Sequence, residues 1–119
     1  MSSLKDWQVD LERIASSEYQ QKYCVNGTAS EYVLLDELLD TLLYAIRHYL
    51  DRSTRIPDSE RMALQQFLAM AEPRFDQIPW SDRNVSISQI VDCDAMKEIR
   101  EAAAKCLQKT STTLGLEEL

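Results

Sequence analysis

The longest apolar pattern in the chain covers residues 29–52, and its spacing predicts one helix. Tyr32, Leu35, Leu39, Leu42, Ile46 and Tyr49 recur at three- and four-residue intervals and form a stripe. Leu34, Leu38, Ala45 and Leu50 widen it past the single face of an ordinary surface helix. Such a helix needs neighbours on two or more sides. It is expected to be the central, most buried element of a helical domain, or a helix that also meets a partner. Thr28 to Glu31 reads as its capping box, with Ser30 as the alternative cap.

The flanking patterns predict further helices. Trp7, Leu11 and Ile14 repeat at helical spacing behind a capping Ser3, with a bend near Ser16-Ser17. Asn26-Gly27 ends that segment, because both residues tolerate a left-handed cap. A third helix is expected over 58–71, with Met62, Phe67, Leu68 and Ala71 inward. Pro73 disfavours helical geometry at Glu72, and Arg74 to Ile78 add one more turn that sets Phe75 and Ile78 against the core. Pro79 to Asn84 form a turn-rich loop. Val85 to Val91 alternate like a strand but have no second strand to pair with. They are read as an extended connector or a short helix. Asp92 or Asp94 then caps a last helix running to about Lys109, with Ala95, Ile99, Ala102, Ala103 and Cys106 inward. Residues 110–119 are expected to form a flexible tail. The fold expected is therefore all-α: a single-domain bundle of about four main helices over 1–109.

Composition supports that class. The chain has 119 residues, enough for one core. Only 2 Gly and 3 Pro argue against an all-β fold. The formal net charge of −7 disfavours nucleic acid and anionic membrane, which reward clustered Lys and Arg. It favours a basic-faced protein partner and also serves solubility. The N-terminus lacks the basic start and apolar run of a signal peptide, and no apolar run is long enough to span a bilayer, so a cytoplasmic protein is expected. Cys24, Cys93 and Cys106 are irregularly spaced and suit neither a disulfide framework nor a zinc motif.

Candidate chemistry is sparse. His48 is the single histidine and lies beside Arg47 and Asp51, as on a solvated helix face, with no nucleophile motif to serve. Asp36, Glu37 and Asp40 precede any Lys or Arg in their segment. They read as a solvated acidic face or as a docking face for a basic partner. Asp92 and Asp94 form a second acidic group, in a stretch without Lys or Arg between 84 and 96. Trp80, between Pro79 and Ser81, either folds onto the core or serves as a binding anchor. Neither a Glu-x-x-His pair nor a glycine-rich phosphate loop is present. No enzyme activity, cofactor or metal is therefore expected.

Residues 32–53, from Tyr32-Val-Leu-Leu through Tyr49-Leu-Asp-Arg-Ser53, and the apolar-then-acidic run Ile87 to Asp94 carry a resemblance. In these segments and in its small acidic helical character the chain resembles the immunity proteins of bacterial toxin systems. The likeness is nearest to small helical proteins that neutralise type VI secretion toxins, including NAD-hydrolysing ones. The resemblance implies inhibition by binding, with the toxin's active site or substrate entry occluded and no chemistry of the chain's own. Asp36, Glu37, Asp40, Trp80, Asp92 and Asp94 are then the expected partner-binding residues. The alternative is a non-enzymatic adaptor or effector chaperone.

Overall fold

The computed structural model describes residues 7–28, 33–53 and 55–118. Among them the chain is all-α, with no strand. The helices are α1 (Trp7–Ala15), α2 (Ser17–Tyr19), a π-helical segment (Gln20–Val25), α3 (Leu35–Arg52), α4 (Asp58–Gln77), α5 (Ile87–Val91) and α6 (Asp94–Glu118). None is long and apolar enough to cross a membrane.

The N-terminal elements follow from two polar devices. Trp7, Leu11 and Ile14 bury the inner stripe of α1. At Ser16 the backbone turns extended, and its Oγ accepts from the Tyr19 N–H at 3.0 Å to start α2. The bend expected at Ser16-Ser17 is therefore a cap. A break there frees carbonyls at the end of α1. Gln20 fills the gap: its Nε2 donates to the carbonyls of Ile14 at 2.8 Å and Arg13 at 3.2 Å. The helix continues with π geometry, and the Asn26 N–H reaches back to the Gln21 carbonyl at 3.0 Å. Asn26 ends it at φ −105°, ψ 18°. The left-handed cap expected at Asn26-Gly27 does not form, because the π bond already satisfies the terminus.

α3 begins at Leu35, later than the sequence pattern suggested. The Val33 N–H donates to the Tyr23 carbonyl at 3.0 Å, and Leu34 is extended. This bond holds the chain open up to the helix start. Residues 29–32, with Ser30, Glu31 and Tyr32, lie outside the described residues, as does Ser3. Leu35, Leu38, Leu39, Leu42, Leu43, Ile46 and Tyr49 line one broad face and are buried. Glu37, Asp40, Thr41, Tyr44, Arg47, His48 and Asp51 are exposed on the other. α3 is thus amphipathic, packed mainly on α1 and α4.

The element gripped from several sides is α6 instead. Its most extensive contacts are with α4 and α1, and α5 also lies against it. Met96, Ile99, Ala103 and Cys106 form its inner face, with Ala95 and Ala102 at the margin. It runs through Glu118, past the expected end near Lys109. At that end Thr110 is buried, and its hydroxyl donates to the Cys106 carbonyl at 2.9 Å. With 25 residues α6 is about 37 Å long at 1.5 Å per residue.

α4 also departs from its sequence pattern. It is one helix through Pro73 to Gln77, where two pieces were expected. Pro73 is exposed, so the Ala69 carbonyl that loses its helical donor sits on the exposed side as well. Met62, expected inside, is 58% exposed, and Glu60 occupies the interior at 0%. Phe67, Ala71 and Ile78 are buried as expected, with Leu68 and Phe75 packed at the margin. The 85–91 segment resolves to the short helix. Ser86 and Gln89 form a reciprocal capping box there, with bonds of 3.2 and 2.8 Å. The cap of α6 is neither Asp92 nor Asp94. Cys93 takes that place, and its Sγ accepts from the Met96 N–H at 3.4 Å. Asp92 ends α5, and Asp94 stands in the first turn of α6, where a carboxylate favours the helix dipole.

Candidate functional site

The outward face of α3 is set by the helix period. Seating Leu35, Leu38, Leu39, Leu42, Leu43 and Ile46 in the core turns the opposite face of the helix to solvent. Glu37 and Asp40 are exposed there, and Asp36 is half-buried at the margin. One turn on from Asp40 stands Tyr44, 68% exposed. Its ring stacks on the His48 imidazole, with centroids 6.1 Å apart and planes 16° from parallel. The face therefore presents carboxylates, an exposed stacked aromatic pair and Arg47.

Arg47 bridges to α4 through Glu72, with N–O distances of 2.8 and 3.0 Å. The Glu72 hydrogen bond leads in holding the guanidinium above its ordinary pKa, against partial desolvation, and Asp40 and Asp76 add smaller Coulombic support. The pair is largely exposed, so it contributes little to stability. Its effect is directional. It anchors one cation at the edge of the face and leaves Glu37 and Asp36 turned outward.

The other expected residues lie elsewhere. Asp92 and Asp94 are exposed at the α5–α6 junction, a region packed on the π segment and α6 rather than on α3. Arg100 lies close behind. It donates to the Val91 carbonyl at 2.6 Å and to Gln20 Oε1 at 3.0 Å. Burial lowers the Arg100 pKa, and Asp92 pulls it the other way. Asp92 is thus partly answered by a cation 8 positions on in sequence, although no cation stands near it in the 84–96 stretch.

Trp80 leans inward. Its Nε1 donates to the Phe75 carbonyl at 3.0 Å, and its ring meets Phe75 with centroids 5.4 Å apart. This is the core-packing alternative, with the indole N–H already satisfied.

Sequence reasoning did not single out Tyr44. The signal was available: Asp36, Asp40, Tyr44 and His48 follow at intervals of four, out of phase with the buried stripe. His48 itself is exposed and stacked, with no nucleophile placed beside it by this face. Among the described residues no group of three or more His, Cys, Asp or Glu is arranged to hold a metal ion. Comparisons of the chain with protein-family models, with curated proteins and with solved structures find no match.

Proposed function

We propose that this chain is an inhibitory binding protein, an immunity protein of the toxin-neutralising kind, which covers a basic surface at the active site or substrate entry of its toxin. The observation that carries the reading is the outward face of α3. An exposed aromatic pair, Tyr44 and His48, stands directly beyond Asp36, Glu37 and Asp40 on a helix whose other face is spent on the core. Aromatic anchors supply contact area at low entropic cost, and flanking carboxylates steer and orient a cationic partner. The net charge of −7 extends that steering field beyond the contact itself. Asp92 and Asp94 contribute to the field from another part of the molecule. In this reading Trp80 supports the 79–84 loop.

Association kinetics test the face. The partner to use is a candidate toxin captured with this chain by pull-down from its native host, in catalytically inactive form. Changing Asp36 and Asp40 together to Lys is expected to slow stopped-flow association at low salt and to flatten its salt dependence, with the fold retained. Tyr44→Ala is expected to act on dissociation instead and to weaken binding by about 2 kcal/mol or more if the ring is a central anchor. Unchanged rates in both variants would reject the α3 face and leave it a solvated surface.

A further inference from the structure

The second surface feature is a groove of about 680 Å³ between α4 and α6, lined by no residue of α3. Small residues open it. Ala63, Ala69 and Ala102 leave the helix pair close at the backbone but hollow at the surface, with Phe67 at the floor. Met70 stands on its rim at 40% exposure. The groove runs from the Arg74–Glu98 ion pair at one end to the Lys109–Gln66 hydrogen bond, 3.1 Å, at the other. From 98 to 109 along α6 that is about 16 Å.

The charges along α6 have an order. Glu98 and Glu101 come first, and Lys105 and Lys109 follow. Glu101 and Lys105 are both exposed, and neither has a side-chain partner among the described residues. An acidic half followed by a basic half is complementary to itself when a second copy is laid antiparallel. A two-fold axis at the level of Ala103 sets Glu101 of each copy opposite Lys105 of the other, and Glu98 near Lys109. The small side chain at Ala102 lets the two helices approach there. The lining also carries three cations, Arg74, Lys105 and Lys109, against two carboxylates. On a chain of net charge −7 this is a strip where two copies meet with little local repulsion.

We infer that the α4–α6 groove is the interface of a symmetric homodimer, in which Glu101 and Lys105 pair across the two-fold axis and Met70 covers the apolar floor. This inference is independent of the partner proposed for α3, because the groove lining includes no α3 residue.

Sedimentation velocity tests it over a dilution series from ~1 mM to ~1 μM, the span of weak to moderate association. The wild type is expected to shift from monomer toward dimer as concentration rises. Glu101→Lys alone and Lys105→Glu alone each place like charges across the axis and are expected to shift the midpoint at least tenfold toward monomer. Mixed in equal amounts, the two variants are expected to form a heterodimer as readily as the wild type dimerises, because each then meets the opposite sign. Circular dichroism confirms that both variants remain folded. A wild type that stays monomeric throughout the series overturns the inference, and so does a mixture no more associated than its separate components. Single variants that dimerise like the wild type overturn the pairing as well.

Discussion

Gln20 joins three elements through one amide. It donates to two α1 carbonyls and accepts from Arg100 of α6 while fully buried. Gln20→Ala is expected to cost about 1–3 kcal/mol in urea unfolding, because it leaves buried carbonyls and a half-buried guanidinium without their partner. Glu60 is the second buried polar group, and its Oε2 accepts from the Tyr49 hydroxyl at 2.9 Å. Neither was legible in the sequence. Gln and Glu favour the surface, and the break at Ser16 and the Tyr49 hydroxyl give these two their partners inside. The thiols are simpler. Burial pushes Cys24 up to about 11 and Cys106 up to about 12 from an ordinary 9.0. The reactive species is the thiolate, so a disulfide reagent at neutral pH is expected to reach Cys93 first and Cys24 and Cys106 only on unfolding. The pH dependence has a definite sign. Above 9.0 the unfolded chain loses thiol protons that the folded chain keeps. These two groups therefore lower stability progressively from about pH 9 to about pH 12, which a Cys106→Ala variant should lessen in alkaline melts.

At the scale of elements, the apolar period identified the inner stripes of α1 and α3 and, in α6, Ile99, Ala103 and Cys106, but it missed the fully buried Met96. Helix ends were less legible. The start of α3 depends on the Val33–Tyr23 backbone bond between distant residues, and the cap of α6 is a cysteine. The alternation in Val85 to Val91 resembled a strand, and Ser86 and Gln89 supplied the helical alternative that the structure adopts. Pro73 shows tertiary packing overriding local preference. With α4 continuous, Phe75 packs at the core margin and Ile78 is buried just past its end, and this packing outweighs the lost hydrogen bond. Pro73→Ala is expected to stabilise the chain by about 1–2 kcal/mol, less than the full helical penalty because the unfolded chain also gains freedom. Chemical denaturation that shows no gain would mean that α4 is strained there for another reason. In α3, Leu39→Ala and Leu42→Ala are each expected to cost about 2–5 kcal/mol, since both side chains are fully enclosed. The same measurement giving less than about 0.5 kcal/mol for both would contradict the packing of α3 on α1 and α4.

At the scale of the molecule, charge and shape separate two surfaces. The α3 face is acidic with an aromatic centre, and the α4–α6 groove is apolar with mixed charge. The acidic half of the first was visible in the sequence as Asp36, Glu37 and Asp40. Its aromatic half was not, because Tyr44 counts as apolar in a pattern and reveals its exposure only once the buried stripe is fixed. The groove left no pattern at all, since its small residues read as ordinary helix packing. Binding through the α3 face is the central proposal, and titration of a purified candidate toxin, captured with this chain from its native host, tests it most directly. The expected result is linear loss of toxin activity to completion at one equivalent, with a folded variant carrying Asp40→Lys and Tyr44→Ala requiring a large excess. Inactivation at far below one equivalent, or a variant as potent as the wild type, would contradict it.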